Sequence, residues 1–141
     1  MQQTSRNKEQ ELAMQAMYGF LIDESIDQPI DVVATIENLT NEPYKDSSIF
    51  IKEILITALK NQDRIVDHIS NYLKNWKFSR LNSCIQAILI LAVTNYIYLN
   101  EDKGVSIDVA VKLAKKYGDD DKDYKFVNAV LDNCLNDKYK Q

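Results

Sequence analysis

Aromatic and basic residues alternate between Tyr72 and Arg80, and no other local cluster of this kind occurs in the sequence. Its members are Tyr72, Trp76 and Phe78 with Lys74, Lys77 and Arg80. Aromatic rings can stack on unpaired bases, and cationic side chains can hold phosphates. The segment therefore predicts contact with a single-stranded nucleic acid, although Tyr72 also falls on the apolar side of a helical pattern and could be a core residue.

The residues that most often do catalysis or bind metals do not form a motif here. His68 is the only histidine, and we expect it to face solvent. Cys84 and Cys134 lack CxxC spacing and lie in apolar helical patterns, which predicts two buried free thiols. The acidic run 119–123 lacks the ligand spacing of a calcium loop, so we expect it to cap a helix.

Sequence signatures of enzymes are also missing. There is no Walker loop, dinucleotide fingerprint, H-E-x-x-H motif or nucleophile elbow. We therefore expect a protein that is not an enzyme and has no cofactor or metal.

Composition limits the class of protein. The 141 residues suit a single domain, 1–141, and three glycines and two prolines are too few for a fold rich in tight turns. The polar segment 1–8 does not resemble a signal peptide, and the longest apolar stretch, Cys84–Leu99, is interrupted by polar residues. We expect a soluble, cytoplasmic protein with no membrane contact.

Charge argues against a strong nucleic-acid binder acting alone. The formal net charge is −4, whereas phosphate neutralisation supplies most non-specific affinity. Between Asp23 and Asp46 there are seven carboxylates and one basic residue, Lys45. Any RNA-binding face must therefore lie elsewhere.

Apolar periodicity predicts about seven helices and no strand. The first runs from about Ser5 to Asp23. Pro29 can open the second, with Val32, Val33, Ile36 and Leu39 facing inward. Ser47 or Asp46 can cap the third, and a fourth follows the break at 61–63.

The second half of the chain contains the most apolar helix. Ser83 and Gln86 form an S-x-x-Q capping box that predicts a fifth helix to about Asn100, apolar almost all round and suited to the centre of the domain. Ser106 can cap a sixth helix, which Gly118 ends. The seventh has an inner face that we assign to Val127, Val130, Leu131, Cys134 and Leu135.

Two segments of this half, A-x-x-L-A-K-K-Y-G at 110–118 and K-F-V-N at 125–128, resemble the C-terminal signature of the NusB family. The run Ser5-Arg6-Asn7-Lys8 and the helix at 13–18 are similar to the family's basic arm and first helix. The resemblance implies two packed helical bundles and a ribosomal protein partner, NusE. It also implies binding to boxA-type single-stranded RNA and indirect action on the RNA polymerase elongation complex.

The resemblance also implies which residues contact RNA. They are the arm residues Arg6 and Lys8, the aromatic residues Tyr18, Tyr72, Tyr117 and Phe126, and the acidic residue Asp121. Rings would stack on bases, basic groups would hold phosphates, and the carboxylate would accept from base amino groups.

Three departures from the family pattern change these expectations. The arm has fewer basic residues, which predicts weak RNA binding without a partner. Ile85, Gln86 and Ile90 replace residues that are typically charged and include one used towards the partner. The partner interface is then more apolar or lies elsewhere. If Ile85 or Ile90 faces outward, it creates an exposed apolar patch that a second copy of the chain (a homodimer) or a partner must cover. The loop before Phe126 is one residue longer, so Asp120 and Asp123 remain alternatives to Asp121.

Two other functions fit the same sequence. One is a helical adaptor for protein interactions with little RNA affinity, which the acidic balance suggests. The other is a detached RNA-recognition domain of an rRNA methyltransferase, which contains a similar module.

Overall fold

Seven α-helices account for most of residues 5–136, the part of the chain described by this computed structural model. They are α1 (Arg6–Ser25), α2 (Val32–Thr40), α3 (Ile49–Lys60), α4 (Gln62–Ser70), α5 (Ser83–Ile97), α6 (Lys103–Tyr117) and α7 (Asp121–Cys134). Single turns of 3₁₀ helix occur at Tyr44–Asp46 and Phe78–Arg80. No strand occurs within 5–136, which confirms the predicted all-helical fold.

The most apolar helix lies at the centre, as predicted. Residues 87–96 of α5 are all buried, because helices cover it on every side. It packs against α1, α3, α4, α6 and α7. These helices therefore share α5 and one continuous hydrophobic core.

Asparagine and aspartate replace glycine at several chain reversals. Asp27, Asn41, Asn75 and Asn100 all have positive φ angles, between 55° and 67°. These are the residue types that tolerate the left-handed conformation best after glycine. Their use explains how a chain with so few glycines joins seven helices.

Gly118 ends α6 as predicted, but the reason is that the last turn of α6 and the start of α7 leave no space for a side chain. Its φ is −80°, so its backbone is not left-handed. A Cβ atom there would lie 2.4 Å from the Ala114 carbonyl oxygen and 2.9 Å from the Asp123 Cβ. Glycine thus allows the end of α6 to meet the start of α7.

The second and third helices begin later than the sequence suggested. Asp31, not Pro29, caps α2 by accepting a hydrogen bond from the Ala34 N–H at 2.9 Å. Val33 is 45% exposed, so its predicted inward orientation is wrong. Ser48 caps α3, while its predicted alternative Ser47 is buried. Several polar residues precede each helix, and packing decides which one becomes the cap.

The sixth helix begins earlier than predicted. Asp102 caps it, and Ser106 is instead buried one turn inside. The Ser106 hydroxyl donates to the Glu101 carboxylate at 2.7 Å. Glu101 accepts from the Gln10 side chain at 3.3 Å, and Gln10 accepts from the Asn95 amide at 3.0 Å. These polar contacts fix α1 against α5 and the start of α6.

None of the helices within the described range combines the length and apolar character needed to cross a membrane.

Candidate nucleic-acid interface

Tyr18 and Tyr117 line one cavity on the surface between α1 and the end of α6. Tyr18 is 42% exposed, and Tyr117 is half-buried as the last residue of α6. The cavity has a volume of about 330 Å³. Its other lining residues are Met14, Gln15, Asn82 and Cys84. Two of the rings assigned to RNA therefore lie on one concave surface, although they are about a hundred residues apart in sequence.

The Tyr117 ring is held in place by hydrogen bonds to α1. Its hydroxyl donates to Glu11 Oε2 at 2.9 Å and accepts from Gln15 Nε2 at 3.0 Å. Lys116 Nζ donates to the same Glu11 oxygen at 2.5 Å. Lys8 Nζ lies 3.3 Å from the other carboxylate oxygen. One carboxylate thus fixes an aromatic ring and two cations beside the cavity.

This cluster perturbs the titration of its members. The hydrogen bond from Lys116, supported by those from Tyr117 and Lys8, lowers the pKa of Glu11 to about 2, although partial burial opposes the shift. The same ion pair raises the pKa of Lys116. Burial, followed by the contact with Glu11, raises the pKa of Tyr117. Glu11 is therefore an anion and Tyr117 a neutral donor at physiological pH.

The two basic residues of the arm point in different directions. Lys8 joins the Glu11 cluster and so borders the cavity. Arg6 instead contacts α3, with its guanidinium carbon 4.0 Å from the centre of the Phe50 ring and its Nε 3.2 Å from a Glu9 oxygen. Arg6 remains exposed, but it lies about 18 Å along α1 from Tyr18.

Phe126 lines a second cavity, of about 320 Å³, which shares Asn82 with the first. Besides Phe126 and Asn82, it is lined by Trp76, Arg80, Leu81, Ile85, Asp119, Asp120, Lys122 and Asp123. The shared residue makes the two cavities one continuous surface, which we call the groove. Three of the four predicted aromatic residues, Tyr18, Tyr117 and Phe126, lie along it.

The acidic segment 119–123 forms the start of α7. Asp120 caps this helix by accepting from the Lys122 N–H at 2.8 Å, which confirms the predicted capping role. Asp123 accepts from the Asp119 N–H at 2.7 Å. Asp121, the predicted RNA contact, is exposed as the first residue of the helix. It lies beside the groove, whereas Asp119, Asp120 and Asp123 line it.

Gln86 has a different role from the predicted capping box. Asn82 caps α5 by accepting from the Cys84 N–H at 2.8 Å. The Gln86 amide donates to the carbonyls of Phe78 and Leu81, both at 2.9 Å. Gln86 therefore ties the segment before α5 to that helix by donating hydrogen bonds to two backbone carbonyls of the segment.

Ile85 and Ile90 do not form an exposed patch. They are 3% and 0% exposed, because both faces of α5 are covered by other helices. The assembly that was predicted from an outward-facing patch therefore has no surface at these two positions. A partner contact at this end of α5 would have to use other side chains.

Tyr72 lies apart from the groove. It follows the end of α4 and is half-buried, with its hydroxyl 2.9 Å from the Asn136 amide, which donates to it. Its ring meets His68 edge-on, with 5.4 Å between ring centres. His68 is also half-buried, and its Nε2 donates to the Cys134 carbonyl at 2.7 Å, so the predicted solvent-facing orientation is wrong. Residues at the end of α7 and just after it cover His68 and Tyr72, which the sequence pattern of α4 alone does not show.

Only one of the two thiols is fully buried. Cys134 has no exposed surface, and burial raises its pKa to about 12. Cys84 is half-buried in the wall of the groove, so the prediction of two buried thiols is wrong for this residue. Partial burial and the nearby Asp123 and Asp119 charges raise the pKa of Cys84.

Several residues in or beside the groove were not selected from the sequence. Glu11, Gln15 and Asn82 belong to ordinary polar positions of helices or caps, and nothing in their local spacing distinguishes them. Lys116 was interpreted only as a favourable charge at a helix end. Their common location becomes visible only when α1, α6 and the segment before α5 are packed together.

Comparison with known proteins agrees with the sequence resemblance. A sequence model of the NusB family matches residues 7–136. Transcription antitermination protein NusB of Bacillus pumilus strain SAFR-032 is 38% identical over 138 residues, which cover 96% of this chain and 98% of that protein. Transcription antitermination protein NusB of Bacillus subtilis strain 168 is 38% identical over 133 residues, covering 94% of this chain and 95% of that protein.

Solved structures share the fold. A structure of T. maritima NusB superposes with a TM-score of 0.79 at 24% identity and covers 98% of both chains. A crystal structure of antitermination factors NusB and NusE in complex with dsRNA superposes with a TM-score of 0.78 at 25% identity, covering 92% of this chain and 95% of the matched one.

Proposed function

This chain belongs to the NusB family, and from that premise we propose that it is an RNA-binding transcription antitermination factor. With the ribosomal protein NusE it binds boxA-type single-stranded RNA and promotes read-through by RNA polymerase, notably on rRNA operons. It acts by binding and not by catalysis. Its place of action is the cytoplasm, where bacterial transcription occurs, and residues 1–141 work as one RNA-binding domain.

The observation that best supports this function is the convergence of Tyr18, Tyr117 and Phe126 on the groove. They come from three different helices, α1, α6 and α7, so the periodicity of one helix cannot explain why they lie together. Rings on a concave, partly polar surface suit unstacked bases. In the proposal these three residues stack on RNA, Arg6 and Lys8 contact phosphates, and Asp121 accepts from a base. Tyr72 is not included among the stacking rings, because its ring and hydroxyl contact His68 and Asn136 away from the groove.

The relatives favour this function over the two alternatives. Those named above are antitermination proteins over nearly their whole length, which is not expected for a methyltransferase module. An adaptor without RNA affinity would not need three aromatic residues on one groove.

The proposal is tested by titrating RNA with this protein, alone and with NusE. The probes are a boxA-type single strand, a scrambled single strand of the same composition and a duplex. We expect the NusE complex to prefer the boxA-type strand, because the rings need unpaired bases. Equal binding of all three probes would contradict sequence-dependent recognition, and no binding would favour the adaptor.

Variants test whether the groove is the binding surface. Tyr18→Ala and Phe126→Ala should each weaken binding by about 1 to 3 kcal/mol, as expected when a stacked ring is lost. Tyr44→Ala removes a ring from the acidic side of the protein and should not change affinity. Circular dichroism must show that all three variants are folded. Wild-type affinity in both groove variants would place the RNA elsewhere.

A further inference from the structure

Trp76 is largely exposed to solvent, which is unusual for a tryptophan. It is 59% exposed and is the only tryptophan in the sequence. Large aromatic residues normally bury most of their surface, so an exposed one on a concave surface often marks a binding site.

The fold holds Trp76 outward on a fixed segment. Phe78, two residues later, is 8% exposed and anchors the segment in the core. Gln86 binds the carbonyls of Phe78 and Leu81, and Asn82 caps α5. Asn75, with a φ of 67°, turns the chain immediately before Trp76. The indole therefore sits next to a segment attached to α5 at several points.

The surroundings of Trp76 match a nucleobase better than other occupants. Trp76 lines the same cavity as Phe126 and Arg80. Two rings offer flat apolar faces, and a guanidinium can stack on a base or pair with its backbone. Three aspartates outnumber the two cations, Arg80 and Lys122, in the lining of this cavity, so a phosphate is disfavoured inside it. A base is flat and uncharged, so the aspartates do not repel it.

We propose that Trp76 and Phe126 form the two aromatic walls of a site for one unstacked base of the bound RNA, with Arg80 at its edge. This inference rests on the proposed function and adds a second base-binding position to the groove, joined through Asn82 to the Tyr18 and Tyr117 position. Tyr18 and Trp76 then hold different bases of the same strand.

The single tryptophan provides a direct test. In the full chain bound to NusE, indole fluorescence is measured while a boxA-type single strand is added, and binding is followed separately with a fluorescently labelled RNA. A stacked base quenches indole emission, so we expect quenching that follows the binding curve. The Trp76→Phe variant gives the background from NusE and keeps an aromatic wall.

Affinity measurements test whether the ring holds the base. Trp76→Ala should weaken binding about 5- to 150-fold, the range expected for loss of one stacked base, while Trp76→Phe retains most of the affinity. Ile26→Ala is the matched control, because Ile26 is 60% exposed and lines neither groove cavity. If both rings hold the same base, the loss in the Trp76→Ala, Phe126→Ala double variant is smaller than the product of the single losses.

The outcomes separate this inference from the proposed function. Quenching together with weaker binding of Trp76→Ala supports the site. Either result without the other overturns it, and multiplicative losses in the double variant overturn the shared base. If labelled RNA binds but Trp76 is neither quenched nor needed, only this inference fails. If labelled RNA does not bind the wild-type complex, the proposed function fails.

Discussion

Glu11 shows how one side chain can prepare a surface for binding. It holds the Tyr117 hydroxyl and the Lys116 and Lys8 ammonium groups beside the groove. A ring fixed before binding loses less conformational freedom when a base stacks on it. The contact also keeps two cations within reach of a phosphate, although the carboxylate offsets part of their charge.

The shifted titration of Glu11 predicts a change in acid stability. Its pKa falls from the ordinary value of 4.5 to about 2 in the folded protein. The folded state therefore favours the anion, and this stabilisation is complete above pH 4.5 and is lost as the pH falls towards 2. We expect the free energies of unfolding of wild type and Glu11→Gln to converge over this range. Urea denaturation at a series of pH values measures this.

Glu53→Gln serves as the control for removing a carboxylate, because Glu53 is an exposed residue of α3. If wild type and Glu11→Gln differ by the same amount at pH 7 and at pH 3, the cluster does not depend on the Glu11 charge.

The two cysteines should differ in reactivity, and RNA should change only one of them. The thiolate is the reactive form, so the raised pKa values slow both thiols. Cys84 lines the groove, whereas Cys134 is fully buried. We expect Cys84 to be labelled first and to be protected by boxA-type RNA in the NusE complex. Labelling followed by peptide mass analysis would show this, with Cys84→Ser as the control. Faster labelling of Cys134 would contradict the burial argument.

At the scale of elements, α5 supports both the core and the groove. Its middle is buried against five other helices, and its first turn holds the segment that includes Phe78 and Leu81 through Gln86. Loss of packing in this helix should therefore reduce stability first and RNA binding as a consequence.

Leu89→Ala should destabilise the protein by about 2 to 5 kcal/mol, because Leu89 is fully buried and its removal leaves a cavity. Chemical denaturation measures the change in the free energy of unfolding. Val33→Ala is the control, since Val33 is 45% exposed and its loss should cost about 0.5 kcal/mol or less. A loss below about 1 kcal/mol for Leu89→Ala would mean that α5 is less tightly packed than the structure indicates.

At the scale of the whole molecule, the net charge of −4 opposes binding to a polyanion. The groove is lined by two cations, Arg80 and Lys122, against three aspartates. Lys8 and Lys116, beside it, both pair with Glu11. Affinity should therefore come from stacking by this chain and from phosphate contacts made largely by a basic partner.

Salt dependence should separate these two contributions. We expect RNA to bind weakly to the isolated protein and much more tightly to the NusE complex. In the complex, Arg6→Ala should reduce the slope of log affinity against log salt by about 0.7, the value for one phosphate contact on a single strand. Tyr18→Ala should lower affinity and leave the slope unchanged. Lys45→Ala, in the acidic segment, is the control. An unchanged slope for Arg6→Ala would exclude a phosphate contact by Arg6.

Apolar periodicity is enough to predict the helical class, about seven helices and the central place of α5, because it is a local property that packing must satisfy. The segments 110–118 and 125–128 also predict the family, whose sequence model matches residues 7–136. The cap residues of α2, α3, α5 and α6, the burial of Ile85 and Ile90 and the contacts of His68 depend on tertiary structure. Local spacing is compatible with several N-cap residues or buried faces for each helix, and packing against the neighbouring helices determines which one is used. The groove belongs to this second group, because Tyr18, Asn82, Tyr117 and Phe126 come from distant parts of the chain and become neighbours only when the helices pack around α5.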